Sequence, residues 1–128
     1  MESMMKPAAL LIHVRDWEAG FIWYRKAFPN AIVVEFPEFE FRALRIDDFM
    51  IEILRSDEKV ASGKAGTVMY WSVQDLVEGV SHFRNLGAEL YRGPIEIENG
   101  LGMCQFVDPF GNLIGIRGPL NKALKHDI

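Results

Sequence analysis

The 128-residue sequence predicts an α+β fold of two tandem βαβββ units, and three features carry that expectation. Short apolar runs rich in β-branched and aromatic residues alternate with turn residues at strand spacing. Two other segments repeat apolar residues at three- and four-residue steps behind an aspartate, the pattern of a capped amphipathic helix. The third feature is repetition: Val14, Asp16, Gly20 and Arg25 recur as Val73, Asp75, Gly79 and Arg84 at one constant offset.

Ala8–Val14 is dense, apolar and short, which favours a buried strand over a helix. Asp16 is then an N-cap with Glu18 in the first turn. Trp17, Phe21, Tyr24 and Phe28 continue at helical spacing until Pro29, so a helix is expected near Trp17–Phe28. Ala31–Phe36, Phe39–Ile46 and Phe49–Leu54 follow as strands, separated by Pro37-Glu38 and Asp47-Asp48. Ser56–Gly66 (SDEKVASGKAG) has linker composition. In the second half Thr67–Val73 is an apolar strand and Asp75 caps a helix over Asp75–Leu86 that stops at Gly87. Glu89–Arg92, Leu101–Val107 and Leu113–Arg117 close the unit as strands. Asn99-Gly100-Leu101-Gly102 reads as a hairpin turn entering a strand, and no phosphate-cradling glycine loop is present. These elements fit one domain over residues 1–128. Its half-repeats span about 7–55 and 66–118, its linker about 56–65, and a charged tail of about 119–128 is expected to fray.

Composition narrows the function. A 49% apolar content with 12% aromatics supports a real core. Fourteen Lys and Arg against 18 Asp and Glu leave a net charge of -4, without the basic excess that a nucleic-acid backbone demands. The longest apolar run near the N-terminus, Ala8–Ile12, is far short of the ~20 residues of a membrane span and lacks the flanks of a signal peptide. A single cysteine, Cys104, forms no intramolecular disulfide and suits a reducing compartment, so a cytoplasmic protein is expected.

The duplicated βαβββ order, the Val-x-Asp opening of each helix and the closing Asp108-Pro109-Phe110-Gly111-Asn112-Leu113-Ile114 together resemble the vicinal oxygen chelate superfamily. This is the glyoxalase, bleomycin-resistance and extradiol-dioxygenase group. The likeness runs from about Pro7 to Gly118, and the Asp-Pro-x-Gly-Asn hairpin is its most specific part, although Pro, Gly and Asn are also what a tight turn requires. The resemblance implies two units facing each other around a ligand cup, related by a pseudo-twofold, and commonly a homodimer, in some members with a cup shared between chains. It also implies four metal-ligand points, on the first and last strands of each unit. In this sequence they fall on Ala9, Glu52, Val68 and Gly115. One carboxylate supplies too few donors for a divalent site, so no metal and no cofactor are expected.

Strand parity and the resemblance together define a cup lining: Ala9, Leu11, His13, Met50, Glu52, Leu54, Val68, Tyr70, Ser72, Leu113 and Arg117. Of these, Leu11, His13, Met50, Glu52, Tyr70, Ser72, Leu113 and Arg117 are the candidate ligand-binding residues, with Glu52 or Arg117 fixing orientation and Met50 and Tyr70 giving contact area. Each also has a plain core-filling role open to it. Glu52 is the candidate catalytic group, a general base whose pKa would rise if it were buried. His13 has two roles open, a ligand brought towards the cup by a bulge or a strand-end histidine bonded near the helix N-terminus. His82, four residues after Glu78, forms a solvated pair with it, and His126 lies in the tail. Arg42 and Arg45 either reach an anionic ligand or project into water. Cys104 is expected to act as a small hydrophobe rather than a nucleophile, and Trp17, Phe21, Trp71 and Phe83 to pack in the helix layer. The leading function is a metal-free small-molecule-binding protein of the sequestration or resistance type, cytoplasmic and homodimeric, with no nucleic-acid or membrane partner. The alternative is a metal-dependent glyoxalase-like lyase, isomerase or dioxygenase using Glu52; a partner-binding module without an enclosed pocket is a third reading.

Overall fold

The computed structural model describes residues 7–37, 41–58, 61–64 and 67–120, organised as two compact units, Met1–Ser62 and Gly63–Ile128. In the first unit β1 (Ala9–Val14) leads into α1 (Trp17–Ala27), then β2 (Ile32–Phe36), β3 (Phe41–Ile46) and β4 (Phe49–Arg55). The strands form one mixed sheet in the order β1-β4-β3-β2, with β1 parallel to β4 and the other pairs antiparallel. The Asp16 carboxylate accepts the amide N–H of Ala19 at 3.1 Å, which satisfies one of the donors left open at the start of α1. The helix ends at Ala27, one residue before the expected stop, and the Phe28 N–H still reaches the carbonyl of Tyr24.

Packing of α1 on its sheet depends on Gly20. A Cβ there would lie 2.7 Å from Val14 Cγ2 and 3.3 Å from Ile53 Cγ2, so glycine sets how near the helix can come. Phe21, Tyr24, Ala27, Ile12, Val14, Leu44, Ile51 and Ile53 are buried in this layer. The indole N–H of Trp17 donates to the Ile53 carbonyl at 2.7 Å, which ties the first turn of the helix to β4.

The second unit repeats the plan. β5 (Tyr70–Ser72), α2 (Leu76–Asn85), β6 (Glu89–Glu96), β7 (Leu101–Val107) and β8 (Leu113–Pro119) pair in the order β5-β8-β7-β6. Asp75 accepts the Glu78 N–H at 2.9 Å, as Asp16 does for Ala19. Gly79 stands where Gly20 does: a Cβ there would meet Ile116 Cδ1 at 3.0 Å and Val73 Cγ2 at 3.3 Å. The repeated Val-x-Asp-x-x-x-Gly string is therefore a packing code, with Val and Gly closing the helix onto the sheet and Asp starting the helix. Leu76, Val80, Phe83, Cys104, Phe106 and Ile116 fill the layer, and the rings of Phe83 and Phe106 stack at 5.6 Å.

The Asp-Pro-x-Gly-Asn segment is a turn held by its own side chains. Asp108 is 3% exposed, and its Oδ1 accepts the N–H groups of Phe110 at 2.8 Å and Asn112 at 2.9 Å. Gly111 adopts φ 91°, the left-handed region that glycine enters at little cost, and Asn112 Oδ1 accepts the Gly63 N–H at 2.8 Å. Four strands differ from expectation by two residues or more, β8 among them, since it runs on to Pro119 opposite Leu101. β5 is confined to Tyr70–Ser72, because those three residues have partners on β8. β6 continues past Arg92 to Glu96, since two register shifts accommodate Gly93-Pro94 on an edge strand, where the N–H that proline lacks is not needed. Of the strand expected over Phe39–Ile46, Phe41–Ile46 forms β3 and residues 39–40 lie outside the described segments. The expected hairpin turn at Asn99-Gly100 is a short 3-10 turn, Glu98–Gly100, in which Asn99 has φ 62°. Most of the tail, including His126, lies outside the described residues. No helix among the described residues is long and apolar enough to cross a membrane.

Candidate functional site

Each sheet has one face covered by its helix and a second face defined by the opposite parity. In the first unit the second face carries three rows of partners. Ala9 pairs with Met50 and Met50 with Arg45; Leu11 pairs with Glu52 and Glu52 with Ala43; His13 pairs with Leu54. Leu11, His13, Met50 and Glu52 thus share one face, as strand parity requires. Their neighbours in sequence, Ile12, Ile51 and Ile53, point to the helix and are buried. Glu52 itself is half-buried, as are Met50 and His13, whereas Leu11 is 49% exposed. The full burial that would drive a carboxylate towards a general base is not met at Glu52.

In the second unit the corresponding face carries Tyr70 beside Gly115 and Gln105, Ser72 beside Arg117 and Met103, and Leu113 beside Val107. Tyr70, Ser72, Leu113 and Arg117 are accordingly brought to one face of this sheet. Tyr70 follows Leu11 at the offset that relates Val73 to Val14. The pair Tyr70 and Gly115 is therefore the counterpart of Leu11 and Glu52, and Gly115 occupies the position of Glu52. Val68, expected on the first strand of this unit, precedes β5 and is not part of it.

A group that sequence reasoning missed lies here. The Tyr70 ring covers Gly115 so closely that a Cβ at that position would come within 2.6 Å of the ring. Gln105 Nε2 donates to the Tyr70 hydroxyl at 2.6 Å, and the Arg117 guanidinium sits 5.1 Å from the centre of the same ring. Gln105 had a legible signal: it alternates with the buried Cys104 and Phe106, so parity places it beside Tyr70 and Arg117. What the sequence does not show is that the tyrosine folds over the glycine. The result is an aromatic surface with an amide on its hydroxyl and an exposed cation against its face, suited to a flat or anionic group.

The donor set does not fit a divalent metal. Ala9 and Gly115 carry no donor atom, Val68 is off the strand, and among the described residues no three His, Cys, Asp or Glu side chains converge. Cys104 is buried, and burial, slightly opposed by the charge of Arg84, pushes its thiol up to about 11, a protonated and inert group. The remaining histidine expected in the open, His82, is half-buried and sits edge-on to Phe83 at 5.2 Å. Arg45 is exposed, whereas Arg42 lies over the rings of Trp17 and Phe21 on the helix side. Phe21 and Phe83 are buried and Trp17 and Trp71 half-buried.

No family model matches this sequence, and no curated protein matches it significantly. Solved structures do. The genomically encoded fosfomycin resistance protein FosX from Listeria monocytogenes superposes with a TM-score of 0.69 over 98% of this chain and 96% of its own, at 15% identity. A protein from the mobile metagenome of V. Pseudocholerae gives 0.72 over 94% and 99%, at 20% identity. A glyoxalase/bleomycin resistance protein/dioxygenase from Nocardioides gives 0.65 over 95% and 88%, at 15% identity. With its twin βαβββ units, repeated helix packing and closing hairpin, the chain has the fold of the vicinal oxygen chelate superfamily.

Proposed function

We propose that the chain binds a small amphipathic organic molecule on the helix-free faces of its sheets without a divalent metal, as a sequestering protein of the resistance type. The observation that carries this reading is the replacement of a carboxylate point by Gly115 under the Tyr70 ring, with Gln105 and Arg117 gathered on that ring. Aromatic area and one cation take the place of a coordinating oxygen. In the first unit Glu52 is the polar anchor among Leu11, Met50 and Leu54, with His13 on the same face. On the second sheet Arg117 would hold an anionic group, and on the first Glu52 would hold a hydrogen-bond donor. Solved structures of this fold carry the names fosfomycin resistance protein and glyoxalase/bleomycin resistance protein, which supports a role in small-molecule binding. The same reading takes the protein as a cytoplasmic homodimer, a setting that suits a lone buried thiol. The metal-dependent lyase or dioxygenase alternative draws on Glu52 alone.

Native mass spectrometry of freshly purified protein, combined with elemental analysis after dialysis, tests the proposal. The expected result is no stoichiometric metal, together with a retained organic adduct that Arg117→Ala loses. One zinc, iron, manganese or nickel ion held per chain would overturn it.

A further inference from the structure

We infer that the cleft on the helix side of the first unit binds an amphipathic organic anion. The cleft has a volume of about 840 Å³ and lies between α1 and the β2–β3 side of the sheet, on the face opposite Glu52. Phe21, Ile22 and Val33 give it an apolar wall, and Ile22 is 54% exposed although it is a large aliphatic side chain. Arg25, Lys26 and Arg42 give it three positive charges against the single carboxylate of Glu18.

Arg42 is the organising group. It shares the helix-facing parity of β3 with the fully buried Leu44, a place where an arginine is unusual. Its guanidinium is held 4.5 Å from the centre of the Phe21 ring and 5.1 Å from that of Trp17, so its position is fixed by aromatic faces. Arg42 lines the cleft, and Glu35, its partner across β2 and β3, is exposed. A guanidinium held against two rings, beside an apolar wall and two exposed cations, is complementary to a carboxylate, sulfonate or phosphate head on a hydrocarbon or aryl body. The excess of cations over carboxylates among the lining residues and the exposed Ile22 argue for that one class of occupant: a neutral molecule leaves the cations unused, and a bare inorganic anion leaves the apolar wall wet.

The test uses decanoate below its micelle concentration, with decanol as the uncharged counterpart. The readout is the indole N–H resonance of Trp17, assigned through Trp17→Phe, in the isotope-labelled full chain. Decanoate is expected to shift this resonance saturably, decanol far more weakly, and Arg42→Gln to lower decanoate affinity at least about tenfold, the scale of one lost charge-assisted hydrogen bond. If Arg42→Gln fails to fold, the surface double variant Arg25→Gln/Lys26→Gln takes its place, with at least about threefold weakening expected from losing two partly screened charges. The inference is overturned if the Trp17 signal stays fixed, if decanol matches decanoate, or if the variants bind like wild type. It is also overturned if the Trp17 signal moves with protein concentration in the absence of decanoate, which would place a second copy on this surface. Shifts confined to Leu11, Glu52 or Tyr70 would reject the cleft while leaving the proposed function standing.

Discussion

Replacing Gly115 with alanine puts the packing of Tyr70 to a direct test. The added Cβ would lie 2.6 to 2.8 Å from three atoms of the Tyr70 ring, closer than carbon atoms tolerate, so the ring must swing away. That motion is resisted by the 2.6 Å hydrogen bond from Gln105 and by Arg117 against the ring. Overpacking costs about 1–3 kcal/mol, the lost hydrogen bond about 1 kcal/mol and the cation–π contact about 0.5 kcal/mol. Removing a flexible glycine from the unfolded chain returns about 0.5–1 kcal/mol. The net is a destabilisation of about 3 kcal/mol, or roughly 10 °C in melting temperature for a chain of this length. A double-mutant cycle with Tyr70→Ala isolates the cause, since in that background Gly115→Ala should be neutral or slightly stabilising, a coupling of about 2–3 kcal/mol. Thermal and urea unfolding of the four proteins give the numbers. Additive effects, or a Gly115→Ala protein as stable as wild type, would refute the view that the ring has replaced a side chain at this point.

Three further outcomes follow from the same geometry. Asp108→Ala, which removes two hydrogen bonds from a buried carboxylate, should cost about 2–3 kcal/mol in urea unfolding, while Asp108→Asn, which keeps an acceptor, should cost less. Because burial raises the Cys104 thiol from 9.0 to about 11, its contribution to stability is present below the lower value and lost as pH rises through the higher one. Unfolding measured across that range should show wild type losing more stability than Cys104→Val, and equal slopes would count against the raised thiol. Glu52→Gln should leave the empty protein within about 0.5 kcal/mol of wild type, since Glu52 is half-buried. If Glu52 is a ligand anchor, the same change should weaken retention of a co-purifying molecule by about 1–3 kcal/mol, measured by its loss in native mass spectra; unchanged retention would remove Glu52 from the site.

The fold was legible where local chemistry and repetition agreed. Asp16 and Asp75 cap helices within one residue of expectation because capping is a short-range interaction visible in the string itself. Strand ends were less legible, since they are decided by partners distant in sequence. Thr67–Val73 has strand composition throughout, yet only Met69–Val73 make backbone contact with β8 and Tyr70–Ser72 form the strand, and Gly93-Pro94 looks like a break until its edge position is known. For the site, period-two alternation sorted Leu11, His13, Met50 and Glu52 onto one face and Tyr70, Ser72, Leu113 and Arg117 onto the other sheet's equivalent. It carried no information on how far a side chain reaches. The fold of Tyr70 over Gly115 and the seat of Arg42 on two rings are matters of rotamer and distance.

The paired glycines Gly20 and Gly79 have a consequence for how such a protein can change. Each fixes the closest approach of helix to sheet in its own half, and each is set by the same valine one turn and a cap away. The two halves are thus held to one template on their helix sides. On the opposite faces the equivalent positions hold Glu52 in one half and Gly115 in the other, with no shared template between them. Every second residue of these strands therefore answers to a helix contact common to both halves, whereas the residues between answer to partners peculiar to one half, as Gly115 does to the ring of Tyr70.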